Sequence, residues 1–169
     1  SRFIYFLSQE LNIRVQDIKS FVLGGHGDTM VAMLGSTEVS GKKIIDLVKE
    51  GKIRKEKLDE IIERTKKGGA EIVKYLENGS AFYAPAASGV QMAESYLKDK
   101  KMQLPCAAYL NGEYGIKEVY AGVPVIIGKK GVEKIIEIKL SKEEEENFKK
   151  SVQSVKDLYS AAKNIDSEL

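Results

Sequence analysis

The feature that most constrains this chain is an apolar stripe running from Lys55 to Glu77. Leu58, Ile61, Ile62, Thr65, Gly69, Ile72, Val73 and Leu76 fall at i, i+3, i+4 and i+7 spacing over six turns, with charges elsewhere. A helix of that length needs a surface to bury its apolar face, so the remaining residues must provide one. Gly68 and Gly69 interrupt the stripe. Each costs about 1 kcal/mol relative to alanine in a helix interior, which points to a kink or a close neighbour.

The rest of the chain supplies both kinds of element. Phe3, Ile4, Phe6, Leu7 and Leu11 predict a helix over residues 1 to about 11. Ser20–Leu23 and Met30–Leu34 read as strands around a glycine loop, Gly24-Gly25-His26-Gly27-Asp28. Ser36 to Lys42 reads as a turn-rich connection, and Ile44, Ile45, Leu47 and Val48 as a short helix stopped at Gly51. A helix beginning near Pro85 is expected to bury Gly89, Val90, Ala93, Tyr96 and Leu97. Leu104–Leu110, Lys117–Ile127 and Val132–Leu140, parted by Asn111-Gly112 and Gly128–Gly131, predict three successive antiparallel strands. Ser141-Lys142-Glu143-Glu144 is a capping box, and Phe148, Val152, Val155, Tyr159 and Ala162 place a closing helix over about 142–163. Strands are segregated from helices, so the fold class is α+β, antiparallel strands with long packed helices, in one domain over 1–169.

Composition narrows the class further. A domain of 169 residues with 43% hydrophobic residues can bury roughly 70% of its unfolded surface in a single core without staples. Lysine and arginine (27) nearly balance aspartate and glutamate (25), so no nucleic-acid footprint is implied. One cysteine, Cys106, and one histidine, His26, exclude a disulfide framework and a zinc site of clustered Cys and His, and fit a reducing compartment. The longest apolar run, Val119 to Ile127, is far short of the roughly 20 residues that span a bilayer, so a soluble chain with no membrane partner is expected. The opening Ser1–Leu7 has no initiator Met and no signal-peptide pattern, and reads as the start of a piece of something longer.

Chemistry could reside at few places. In the glycine loop, Gly25 and Gly27 remove the Cβ atoms that would keep a substrate from the imidazole of His26, the side chain that titrates near neutrality unaided. A plain turn with an exposed or satisfied histidine explains the same five residues equally well. Arg2 reads by itself as a surface charge, although a guanidinium can grip a carboxylate through two parallel donors. Asn78–Pro85 is a loop feeding a helix N-terminus, by default a loop and cap. Cys106 lies on an apolar strand with no second histidine to activate it, and the Glu143–Glu146 run complements a helix dipole without needing a partner. Gly25-x-Gly27 fails to continue as a phosphate-binding GxGxxG because Met30 occupies the third position.

Taken in order, Ser1-Arg2-Phe3, Val22–Val31, Gly68–Val73, Gly79–Ala87, Cys106–Gly115 and Tyr120–Pro124 resemble the C-terminal substrate domain of the lactate/malate dehydrogenase family, on its malate dehydrogenase side. The resemblance spans the whole chain. It implies reversible oxidation of (S)-malate to oxaloacetate by hydride transfer to NAD, within the tricarboxylic acid cycle and carbohydrate metabolism of the cytoplasm. By the same resemblance His26 matches the proton acceptor, Arg2 the arginine that grips the substrate carboxylate, and Gly25, Gly27 and Ala81 the supporting loops. A neutral imidazole suits that role, since a C–OH does not readily release hydride unless a base takes its proton.

The resemblance also implies what precedes Ser1. The acid that orients the histidine lies three residues before the arginine in this family. The NAD-binding Rossmann domain and the mobile substrate-contacting loop lie further upstream, so the cofactor site is expected mostly outside this chain. The intact protein is expected to be a homodimer or homotetramer. Ala32 stands where relatives commonly carry Pro, and Ala81-Phe82-Tyr83 departs from the Thr-Ser-Trp of lactate-specific relatives, which favours malate over lactate. Two alternatives stay open: a non-catalytic binding or subunit-assembly module, and a lactate dehydrogenase-like specificity for another 2-hydroxy acid.

Overall fold

The computed structural model describes residues 1–166, so the last three residues of the expected 1–169 domain lie outside the described ones. Among the described residues there are five α-helices: α1 (Arg2–Leu11), α2 (Ile44–Lys49), α3 (Lys55–Leu76), α4 (Tyr83–Leu97) and α5 (Lys142–Ile165). The strands are β1 (Ile18–Lys19), β2 (Val22–Leu23), β3 (Val31–Ala32), β4 (Glu38–Val39), β5 (Lys42–Lys43), β6 (Met102–Asn111), β7 (Lys117–Gly128) and β8 (Gly131–Ile135). All pairings are antiparallel, in the orders β1-β4-β5, β2-β3 and β6-β7-β8. The α+β class follows, with the strand meander between α4 and α5.

Two apolar clusters replace the single core expected from length. One packs β6–β8 against α5 through Leu110, Val123, Val125, Phe148 and Val152. The other gathers Phe3 and Leu7 of α1, Val39, Ile44 of α2, and Leu58 and Ile61 of α3. The β2–β3 hairpin belongs to both. Its period-2 alternation sends Leu23 and Val31 into the first cluster and Val22 and Ala32 against the second. The glycine loop therefore projects from a hairpin held between two cores.

Several elements differ from the sequence reading, each for a physical reason. Residues 36–42 hold more than turns, because β4 and β5 form a tight hairpin over Ser40-Gly41, both at positive φ (49° and 80°). That is the turn whose twist matches paired strands. β8 ends at Ile135 and not at Leu140. Beyond it the Tyr114 hydroxyl donates to the Ile136 carbonyl (2.8 Å) and accepts from Ile138 N–H (3.0 Å), taking over from the ladder. α4 forms as expected but does not bury Gly89, Val90, Ala93, Tyr96 and Leu97; Val90 is 68% and Leu97 78% exposed. α3 likewise buries Leu58, Ile61, Thr65 and Gly68 but leaves Gly69, Val73 and Leu76 exposed. No described element packs over these residues, so the stripe is longer than the surface this chain offers it. Buried Ser95 instead anchors α4, donating to the Ile127 carbonyl (2.6 Å) and accepting from Met102 N–H (3.1 Å).

Candidate active site

Arg2 is the first residue of α1, and its side chain crosses α3 at Gly68. A Cβ on Gly68 would fall 2.6 Å from Arg2 Nη1 and 2.7 Å from its Cδ, so this glycine leaves room for the arginine. Of the two explanations for the glycine pair, a kink or a close neighbour, the structure selects the neighbour for Gly68, while α3 runs unbroken through both and exposed Gly69 has only an ordinary contact to Arg2 Nη1 (3.9 Å). Nη1 of Arg2 is buried and has no hydrogen-bond partner among the described residues. Burying an unpaired charged donor is costly, and natural folds rarely tolerate it without a functional reason.

His26 sits in the loop joining β2 to β3, and its ring is exposed. The backbone beside it is fixed. Gly24 and Gly122 of β7 exchange two backbone hydrogen bonds (2.9 and 2.8 Å), and a Cβ on Gly122 would come within 2.8 Å of the Gly24 carbonyl oxygen. Gly24 holds φ at +91°, a conformation that favours glycine. The next amide, Gly25 N–H, donates to Ser151 Oγ on α5 (2.8 Å), and on the far side Met30 N–H donates to the Gly27 carbonyl (3.1 Å). A Cβ on Gly25 would meet Val155 and Thr29 at 3.1 and 3.2 Å, so that glycine fits the loop to α5, whereas the space around Gly27 is open.

Ala81 is half-buried in the segment leading into α4, beside exposed Phe82 and Tyr83. No side-chain hydrogen bond or ion pair joins Arg2, His26 and Ala81 among the described residues. Cys106 is half-buried against the first cluster, and burial pushes its thiol pKa up, away from the thiolate that nucleophilic chemistry needs. The acidic run beginning α5 does have a partner. Glu144 closes the capping box with Ser141 and also accepts the Gly35 N–H (2.9 Å), tying α5 to the segment after β3.

A cleft of about 580 Å³ lies on the α5 side of the loop, between Asp28–Ala32, α3 and α5. Its walls carry five carboxylates (Asp28, Asp59, Glu63, Glu143, Glu144) against the ammonium groups of Lys66 and Lys150. That balance has the wrong sign for a carboxylate ligand. Ser151, Gly122 and the Gly68–Arg2 contact were not identified as site features from sequence. Ser151 did leave a signal: with Phe148, Val152 and Val155 it completes an i, i+3, i+4, i+7 stripe, a polar residue on an apolar face.

The profile of the lactate/malate dehydrogenase alpha/beta C-terminal domain matches residues 1–165. The chain belongs to this family. It is 64% identical over its full 169 residues to malate dehydrogenase of Pelagibacter ubique (strain HTCC1062), covering 53% of that protein. Among solved structures it resembles Cryptosporidium parvum malate dehydrogenase (TM-score 0.93, 45% identity), over 96% of this chain and 52% of that one. It also resembles Eimeria maxima lactate dehydrogenase, solved with NADH and oxamate (TM-score 0.93, 38% identity), over 98% of this chain and 52% of that one. The chain thus spans about half the length of the dehydrogenases it matches. No described helix is long and apolar enough to cross a membrane.

Proposed function

We propose that this chain is the substrate domain of an NAD-dependent malate dehydrogenase, which interconverts (S)-malate and oxaloacetate. The observation that carries the reading is Arg2 Nη1, a buried guanidinium nitrogen without an acceptor, packed against a glycine that makes room for it. A substrate carboxylate supplies the acceptor it needs, through a charge-assisted pair that a planar fork forms better than an ammonium. The 64% identity to a malate dehydrogenase supports malate over lactate.

In malate oxidation the C2 hydroxyl proton passes to the imidazole of His26 as the C2–H bond gives up its hydride. NAD supplies the hydride acceptor. In oxaloacetate reduction the imidazolium returns the proton to the forming alkoxide oxygen, so one group serves as base in one direction and acid in the other. Arg2 holds the carboxylate next to the reacting carbon, and the pinned loop holds the ring; both reduce the entropy of reaching a reactive geometry. Gly27 leaves the approach clear, and Ala81 borders the substrate.

The residues here contain no glycine-rich phosphate loop, so NAD is held mostly by a preceding nucleotide domain. The exposed apolar residues of α3 (Val73, Leu76) and of α4 (Val90, Leu97) suit contact with that domain and with a second subunit of a homodimer or homotetramer. They give the assembly reading a real surface, compatible with catalysis. The same proposal makes it a cytoplasmic enzyme of the tricarboxylic acid cycle. Comparing kcat/KM for oxaloacetate and pyruvate in the intact protein tests the specificity: oxaloacetate is expected to lead, and a pyruvate preference overturns it.

A further inference from the structure

We propose that Ser151, on α5 and 125 residues from His26 in sequence, is a positioning residue that clasps the His26 loop across its base. The inference rests on the reading of His26 given above. Ser151 is 1% exposed, and its hydroxyl is used twice. It accepts the N–H of Gly25, immediately before His26 (2.8 Å), and donates to Oγ1 of Thr29, three residues after it (3.3 Å). One hydroxyl therefore holds both limbs of the loop.

Three further observations separate this from incidental packing. Serines and threonines inside helices commonly turn back to the carbonyl four residues earlier, as Thr65 does to Ile61 and Ser154 to Lys150. Ser151 instead turns its hydroxyl outward to the loop. Gly24 is fitted to it as well, since a Cβ there would overlap Ser151 Oγ and fall 2.7 Å from its Cβ. The helix that presents Ser151 is itself fixed: the capping box and Gly35 hold its first turn, and buried Phe148 and Val152 flank the serine on the same face. With Gly24 locked to Gly122, the Gly25 amide is the last backbone anchor before the imidazole.

Removing the hydroxyl leaves the Gly25 N–H unpaired and frees the loop to shift, and a displacement of about 1 Å at a reacting group can cost on the order of 100-fold in rate. The test uses the intact dehydrogenase with oxaloacetate and NADH, comparing wild type, Ser151→Ala, Thr29→Val and His26→Asn. Ser151→Ala is expected to lower kcat by about 10- to 100-fold with the KM for oxaloacetate unchanged, because Arg2 is untouched. Faster hydrogen exchange at the Gly25 amide should accompany it. A merely structural role would lower the melting temperature without separating kcat from KM.

If Ser151→Ala folds and keeps kcat within about twofold while His26→Asn loses turnover, the clasp is overturned and the reading of His26 stands. If His26→Asn turns over like wild type, that reading fails first and the clasp with it. Should Ser151→Ala not fold, Thr29→Val decides. It keeps Ser151 but loses the weaker limb, so kcat should fall by about threefold, and an unchanged kcat contradicts the proposal.

Discussion

Arg2 and Gly68 make a pair whose parts can be changed separately. Arg2→Lys keeps the charge and loses the fork, so kcat/KM for oxaloacetate in the intact protein should fall about 10- to 100-fold, the value of one charged hydrogen bond at roughly 1.5 to 3 kcal/mol. Gly68→Ala meets the far end of a flexible side chain rather than backbone, so α3 should persist while the guanidinium moves aside. KM should rise with little change in melting temperature, and adding Gly68→Ala to Arg2→Lys should cost less than it does alone. Full additivity of the two changes in steady-state kinetics would separate the glycine from the arginine. At this scale the sequence was unevenly legible. The glycine loop around His26 has local chemistry that draws attention, and Gly68-Gly69 pointed to a kink or a close neighbour without separating the two. Arg2 has no local sign of a role, and only the ordered resemblance across the chain singled it out. Ser151 was hidden because its partners lie more than 120 residues away, and one-dimensional spacing does not report such contacts.

Elements were readable where their periodicity is decided locally. α1, α3 and α5 follow their apolar stripes, and the capping box at Ser141 marks the start of α5 to the residue. The β4–β5 hairpin was obscured because its strands are two residues each, too short for alternation to register, although Ser40-Gly41 is a turn dipeptide. The end of β8 was set by the Tyr114 hydroxyl, a tertiary hydrogen bond invisible to strand propensity. At the end of α4, Lys100 and Lys98 hold the Glu94 carboxyl down at about 2. Because the folded value lies below the ordinary 4.5, the stabilisation is complete above 4.5 and disappears as pH falls toward about 2. A carbon-detected NMR titration of the Glu94 carboxyl should therefore show a midpoint near 2, and one near 4.5 would mean that these lysines do not hold it.

Across the whole molecule, two cores meet at the β2–β3 hairpin, and the loop between them is fixed from three directions by β7, α5 and its own turn. The backbone around His26 is thus built within this chain. Among the described residues nothing covers the apolar side chains of α4, and Tyr83 (82% exposed), Val90 and Leu97 remain open. Purified alone, the chain is expected to fold and to self-associate through those side chains, yet to show no turnover of oxaloacetate with NADH. Without a nucleotide domain, much of the roughly 7 to 11 kcal/mol available from positioning the reactants is lost. Turnover by the isolated chain at about 1 per second or faster, in the ordinary enzyme range, would contradict that division of labour. The most direct measurement is the rate of NADH oxidation by oxaloacetate in the intact protein, wild type against His26→Asn. If His26 is the proton-transferring group, wild type turns over and the variant loses about 100- to 10,000-fold in kcat; a variant that matches wild type would show that the proton goes elsewhere.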